Sequence, residues 1–147
     1  MNDQSYSTSF LVDQSPQVVF AAINQVRDWW SGEVVGGTDK LGDSFTYSVP
    51  EVHFSRQKIS EFVPGTRVVW RVTDANLTFL KDKGEWIGTD IVFEIAPKGA
   101  KTELRFTHRG LVPDFECHEA CSNAWGLLVG GNLRQFIISG KTQPSPW

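Results

Sequence analysis

The C-terminal residues 113–141 constrain the fold more than any other part of the chain, because they carry a long helical pattern. Asp114 can cap its start, Glu116 and Glu119 place negative charge in the first turns, and Gly140 is a typical stop. Its apolar residues recur at helical spacing: Cys117, Cys121, Ala124, Trp125, Leu128, Leu133, Phe136 and Ile137. A helix with one apolar stripe buries that stripe against another layer of structure.

The residues before this helix predict that second layer, an antiparallel sheet. Runs of alternating β-branched and aromatic residues are separated by turn dipeptides such as Pro64-Gly65 and Lys98-Gly99. We predict strands over residues 5–12, 45–49, 52–63, 67–72, 91–97 and 102–109. Strands that are adjacent in sequence, with helix covering one face, make an α+β domain.

Three segments interrupt this pattern of strands. Ser15-Pro16 opens a first helix, and Asp28-Trp29-Trp30 either ends that helix or forms a second short one. Residues 31–43 are rich in glycine and predict a long loop, which is a candidate gate for a binding site. Residues 74–86 fit either a hairpin loop or a short irregular excursion.

Length and composition narrow the class of protein. At 147 residues we expect one domain over 1–147, with a proline-containing tail at 143–147 that frays. A net charge of −3 without a basic cluster argues against a nucleic-acid partner. We find neither a secretory signal nor an apolar run near the ~20 residues that a membrane span needs. Two cysteines on the predicted helix argue against a disulfide framework and suit a reducing cytoplasm.

Several segments, taken in order, resemble a known family. They are SPQVVFAAINQVRDWWSG, KLGDSF, KISEFVPGTRVVWRV, TELRFTHRGL and the helical W-x6-NLRQF that begins at Trp125. Over residues 7–141 the chain resembles the START/Bet v 1-like (SRPBCC) superfamily, and within it the activator of Hsp90 ATPase homologue (AHSA1-like) family. The eukaryotic activator has an additional N-terminal domain that nothing in this chain matches, which argues against a chaperone-stimulating role.

The resemblance implies a helix-grip fold. In that fold a curved antiparallel β-sheet wraps around a long C-terminal α-helix, with one or two short helices after the first strand. Members of the superfamily bind lipids, sterols, polyketides and other hydrophobic ligands, and some branches are cyclases, hydrolases or dehalogenases. The resemblance supplies no common catalytic motif that could be carried over to residues of this chain.

A curved sheet under one helix leaves room for an apolar cavity. Large aromatic side chains would line such a cavity, although they also fill ordinary cores. The candidate ligand-binding residues are Trp30, Phe45, Tyr47, Trp70, Phe93, Phe106, His108, Cys121, Trp125 and Leu128.

Among these candidates, His108 is the side chain that most suggests a chemical role. Strand alternation places it on the same sheet face as Leu104 and Phe106. A histidine in a cavity could donate to a ligand carbonyl or act as a general acid or base. The alternative is a histidine at a strand end that is bonded to backbone or water.

Cys117, His118 and Cys121 invite a metal site, but their spacing matches no known zinc pattern. On a helix the two cysteines share a face, whereas His118 points about 100° away from Cys117. We therefore interpret the cysteines as small core residues and predict no metal, no cofactor and no catalytic residue.

Gly130-Gly131 in the middle of the predicted helix requires an explanation, because each glycine costs about 1 kcal/mol relative to alanine. Close approach to a strand, a bend over the cavity, space for a ligand or tight helix–sheet packing would compensate.

The leading hypothesis is a cytoplasmic protein that binds or carries a small hydrophobic molecule, aromatic or lipid-like, between the sheet and the C-terminal helix. One alternative is an enzyme that acts on such a ligand with His108 as acid or base. Another is a module that contacts a chaperone or other protein. The sequence leaves a homodimer open.

Overall fold

The computed structural model describes residues 4–30 and 32–144. In this part of the chain seven strands form one antiparallel sheet in the order β1-β7-β6-β5-β4-β3-β2. The strands are β1 (Tyr6–Val12), β2 (Glu33–Gly36), β3 (Ser44–Val49), β4 (His53–Val63), β5 (Arg67–Leu77), β6 (Asp90–Lys98) and β7 (Lys101–Arg109). The six predicted strands are present. The last strand, β7, pairs with the first strand, β1, at one end of the sheet.

The first helix, α1 (Pro16–Asn24), begins as predicted. The Ser15 hydroxyl accepts a hydrogen bond from the backbone N–H of Val18, and Pro16 occupies the first turn. A 3₁₀ turn, Val26–Asp28, follows and brings Trp29 and Trp30 to the concave face of the sheet, where both are buried.

The C-terminal helix, α2, runs over residues 118–139. It consists of an α-helical part (His118–Trp125), a π-helical part (Gly126–Leu133) and a second α-helical part (Arg134–Ser139). Gly140 ends it in the left-handed conformation, with a φ of 71°, as the sequence predicts. The predicted start is wrong, because residues before 118 form turns and Cys117, not Asp114, occupies the N-cap position.

The π-helical part follows from the spacing of the buried residues in α2. Trp125, Val129, Leu133 and Ile137 are all buried and lie four positions apart. In an α-helix a spacing of four drifts around the axis by about 40° per step. The i→i+5 turns of a π-helix hold more residues and reverse this drift between Trp125 and Leu133, which is consistent with the burial of all four side chains.

Gly130 and Gly131 lie within these π-helical turns. A Cβ atom at either glycine would meet nothing within 4 Å. Close approach to a strand and tight packing against the sheet are therefore not the reasons for the glycine pair.

Two predicted loops are shorter than expected. The prediction of a loop over all of 31–43 is wrong, because β2 lies inside it and pairs with β3; Ser31 lies outside the described residues. Strand β2 has a single buried apolar residue, Val34, and this pattern is too short to be recognised in the sequence as an edge strand. Strand β5 extends to Leu77, so the irregular segment begins there and covers residues 78–89.

The helices and the inner face of the sheet enclose one core, which confirms the predicted helix-grip fold. Asn132 of α2 is buried and donates from Nδ2 to the backbone oxygens of Trp29 and Pro144. Gln143 donates from its backbone N–H to the Asp28 oxygen. The first two residues of the predicted tail are thus hydrogen-bonded, and 145–147 lie outside the described residues.

The substitution Gly130→Ala should raise the free energy of unfolding by about 0.4–1 kcal/mol, because the added methyl group meets open space and the unfolded chain loses freedom. As a control, Gly36→Ala should lower it by more than about 1 kcal/mol, since Gly36 has a φ of 114° and lies against the Ser44 carbonyl. Urea denaturation measures both. A loss of stability in Gly130→Ala would show that the π-helical turn itself requires glycine.

Candidate functional site

An open apolar pocket of about 320 Å³ lies between the first half of α2 and the end of the sheet where β3 turns into β4. Its size is at the lower end of small-molecule pockets, which span roughly 300–1,000 Å³. None of the described residues that line it carries a formal charge at neutral pH. They are Trp30, Tyr47, Val49, Val52, His53, Phe79, Trp86, Ala120, Cys121, Ala124, Trp125 and Leu128.

Helix α2 supplies one wall of the pocket. Ala120, Cys121, Ala124, Trp125 and Leu128 recur at three- and four-residue spacing and so share one side of the helix. The two alanines are the reason for the open space, because a larger side chain at either position would extend into it.

Strands β3 and β4 form the opposite wall. Tyr47 lies between Trp30 and His53: its ring stacks on the Trp30 ring with centroids 3.9 Å apart and meets the His53 ring edge-to-face at 5.1 Å. Stacked aromatic side chains of this kind offer flat apolar surface and hold one another in place.

The irregular segment 78–89 closes the third side with Phe79 and Trp86. The Trp86 ring stacks on Trp125 of α2 with centroids 5.9 Å apart and 14° between the planes. Phe79 is 52% exposed and Val52 is 46% exposed. These two side chains therefore mark the mouth of the pocket.

Two glutamates clamp this segment to the start of α2. The Glu85 carboxylate accepts hydrogen bonds from the backbone N–H groups of Glu116 and Cys117, at 2.8 and 3.1 Å. In return the Glu116 carboxylate accepts from the N–H groups of Lys81 and Asp82. Glu85 thus satisfies free donors just before the helix and places negative charge there, as a capping residue does.

His108 lies beneath the pocket in a continuous chain of hydrogen bonds. The Trp125 Nε1–H donates to His108 Nδ1 at 3.0 Å, and the Thr89 hydroxyl donates to the Trp86 carbonyl at 2.6 Å. His108 Nε2 lies 2.8 Å from the Thr89 oxygen. Because the Thr89 proton is already directed to Trp86, His108 carries its own proton on Nε2 and donates it to Thr89.

This arrangement makes His108 a structural residue. Burial lowers the pKa of His108 to about 3, so the ring is neutral at physiological pH. Both ring nitrogens have partners and the residue has no exposed surface. The ring holds Trp125 and the Trp86 segment in register, and it has no nitrogen left for a substrate.

The structure divides the predicted ligand-binding residues into two groups. Trp30, Tyr47, Cys121, Trp125 and Leu128 line the pocket. The other five are buried in the core below it: Phe45, Trp70, Phe93, Phe106 and His108. Trp70 is at the centre of this second group, with its ring 5.0 Å from Phe45 and 4.9 Å from Phe93.

Seven residues that line the pocket were not among the predicted ligand-binding residues: Val49, Val52, His53, Phe79, Trp86, Ala120 and Ala124. The sequence could have indicated Ala124, because it belongs to the apolar stripe of the helix. His53 alternates with Ser55 and Gln57 along β4, which was also visible in the sequence.

The two cysteines are bonded to each other, so the prediction against a disulfide is wrong. They are four residues apart at the start of α2, where one turn brings their Cα atoms to 5.5 Å, within the range of disulfides. Among residues 4–30 and 32–144, no cluster of three or more His, Cys, Asp or Glu could hold a metal ion. Nor is any helix in this part of the chain long and apolar enough to cross a membrane.

A curved sheet closed by one long helix over an apolar pocket defines the helix-grip class of proteins. Within that class, the family model for activator of Hsp90 ATPase homolog 1-like protein (AHSA1) matches residues 13–137. The chain therefore belongs to the AHSA1 family. No curated protein matches it in sequence.

Solved structures share the fold at low sequence identity. The chain is similar to the Aha1 dimer from Colwellia psychrerythraea, with a TM-score of 0.74, 18% identity and coverage of 93% of this chain and 98% of that one. It is similar to protein MLL2253 from Mesorhizobium loti, with a TM-score of 0.70, 14% identity and coverage of 91% and 98%. It is also similar to DynU16, a putative protein in the dynemicin biosynthetic locus, with a TM-score of 0.72 and 15% identity. That match covers 99% of this chain and 51% of DynU16.

The partly buried His53 and the fully buried His108 predict how stability depends on pH. Burial lowers the pKa of His53 to about 4 and that of His108 to about 3, whereas an unfolded histidine titrates near 6.5. Below about pH 6.5 the unfolded chain binds protons that the native protein does not bind. The free energy of unfolding should therefore fall as pH decreases from about 7 to about 5, by up to about 1.4 kcal/mol per pH unit for each histidine.

Urea denaturation over this pH range measures the effect, and His53→Gln should remove the contribution of one histidine from the slope. An unchanged slope in His53→Gln would show that His53 takes up its proton equally well in the folded protein.

Proposed function

We propose that the protein binds or carries a small hydrophobic molecule, aromatic or lipid-like, in the cytoplasm, and that the ligand occupies the pocket between α2 and the β3–β4 end of the sheet. The observation that carries the proposal is the open apolar space itself. This pocket holds about 320 Å³, and none of its described lining residues carries a formal charge at neutral pH, which is the character of a small-molecule site.

The walls support a binding role in two further ways. Trp30, Tyr47, Trp86 and Trp125 are buried or nearly so and are fixed by stacking, so they need little ordering when a ligand enters. The mouth is apolar, because Phe79 and Val52 expose hydrocarbon to solvent. Cys121, which is bonded to Cys117, adds an uncharged sulfur to the wall.

The alternative of an enzyme with His108 as acid or base receives no support from the geometry. Its ring is buried, neutral and fully hydrogen-bonded, and it does not line the pocket. A contact with a chaperone rests only on the description of the family. A homodimer is suggested by the Colwellia psychrerythraea relative, which is a dimer. Analytical ultracentrifugation would test the dimer independently of the ligand.

The test uses thermal unfolding with a panel of uncharged aromatic compounds and lipids. At a hundredfold excess over Kd, a ligand that binds only the native state should stabilise it by about 2.7 kcal/mol and raise Tm by roughly 5–10 °C. In Ala124→Phe a ring fills the pocket, so this protein should remain folded and show no shift. Ala100→Phe is the matched control, since Ala100 lies in an exposed turn away from the pocket, and it should keep the full shift.

The proposal fails if no compound in the panel shifts Tm. It also fails if Ala124→Phe responds as strongly as Ala100→Phe, because binding would then occur elsewhere on the protein.

A further inference from the structure

The inner face of β4 carries a line of polar side chains where an apolar core would be expected. His53, Ser55 and Gln57 alternate along the strand and so point to the same side, towards α2. Ser55 and Gln57 have no exposed surface, and the His53 ring lines the pocket. The line therefore runs from the pocket into the core.

Hydrogen bonds along this line determine where the His53 proton lies. Gln57 Nε2 donates to the Ser55 oxygen at 2.5 Å, and His53 Nε2 lies 2.9 Å from the same oxygen. If His53 also donated to Ser55, the Ser55 proton would have no acceptor among the described residues, which is costly for a buried hydroxyl. Ser55 therefore donates to His53 Nε2, and the neutral ring carries its proton on Nδ1.

Three polar side chains in this position reduce stability more than apolar ones of similar size. Among the described residues, neither the buried Gln57 Oε1 nor the buried Nε1–H of Trp86 has a hydrogen-bond partner, and the Trp86 ring lies 5.0 Å from that of His53. Burying such unpaired groups costs about 1–3 kcal/mol each. Violations of this kind concentrate at functional sites, where the polar group serves a ligand.

The rest of the pocket wall restricts which ligand the polar line can serve. No lysine, arginine, aspartate or glutamate is among the described lining residues. His53 is neutral, because burial lowers its pKa to about 4. A carboxylate or ammonium group would lose its hydration without gaining a counter-ion.

We infer that His53 is the polar anchor of the pocket, and that its Nδ1–H, positioned by Ser55 and Gln57, donates to a neutral oxygen acceptor on an otherwise apolar, flat ligand. This inference rests on the proposed function and adds the chemical class of the ligand, an uncharged aromatic ketone or a similar aryl carbonyl compound. Ligands with a carboxylate, such as fatty acids or aryl carboxylates, should not bind well in this pocket.

Three probes of nearly equal size and shape test the inference: methyl naphthyl ketone, its hydrocarbon isostere isopropenylnaphthalene, and naphthoate, all substituted at the same ring position. Isothermal titration calorimetry with the whole protein should give a Kd for the ketone that is roughly three- to tenfold lower than that for the hydrocarbon, the effect of one added hydrogen bond. Naphthoate should bind more weakly than both.

His53→Leu should remove the preference for the ketone while leaving the hydrocarbon affinity within about twofold, since the leucine keeps an apolar wall. His53→Gln, which retains a donor, should restore part of the preference. His118→Leu changes a histidine of α2 that does not line the pocket and should leave the preference intact. In the wild-type protein, the ketone but not the hydrocarbon should shift the nitrogen NMR resonance of His53 Nδ1, a readout that does not depend on any variant folding.

Equal affinities for ketone and hydrocarbon, or an unshifted Nδ1 resonance with the ketone bound, would overturn the assignment of His53 while leaving the proposed function standing. Tightest binding by naphthoate would overturn the choice of a neutral ligand. Failure of all three probes, together with failure of the wider panel, would instead reject ligand binding as such.

Discussion

The hydrogen bond from the Trp125 indole to His108 joins the long helix to the sheet, and the shape of the pocket depends on it. Through Thr89 the same chain of hydrogen bonds reaches the backbone of Trp86, so two pocket walls share one buried anchor. A buried chain of this kind tolerates little displacement, since any broken member leaves a polar group unpaired. Glu85 and Glu116 fix the same two segments at the surface. These hydrogen bonds thus fix α2 and the segment 78–89, the two walls between which the pocket stays open.

Below the pocket the aromatic residues are close-packed. One group of aromatic side chains therefore forms a stable core, while another group lines the open pocket. Trp29 and Trp70 contact Phe93 and fill the centre of the grip. Trp30 lies above Trp70 with nearly parallel rings and presents its other side to the pocket wall. On the side of α2 the pocket is lined by the small side chains of Ala120 and Ala124.

Much of the fold could be predicted from the sequence, because it depends on local patterns. Alternation predicts the six long strands, Ser15-Pro16 predicts α1, and the apolar stripe with Gly140 predicts the end of α2. The start of α2 could not be predicted, since the backbone just before it is held by Glu85, which is distant in sequence. The structural role of His108 could not be predicted either, because it depends on hydrogen bonds to Trp125 and Thr89, which only the folded chain brings together. Aromatic composition could not separate Trp70 in the core from Trp86 at the pocket, because both are equally apolar.

Native mass spectrometry of freshly purified protein tests the central claim most directly, because it asks whether a small molecule occupies the pocket. The account predicts a fraction of the protein with one additional small, uncharged, apolar molecule per chain, and a loss of that fraction when Ala124 is replaced by phenylalanine. A protein that carries nothing, and that takes up none of a broad set of added apolar compounds, would contradict it.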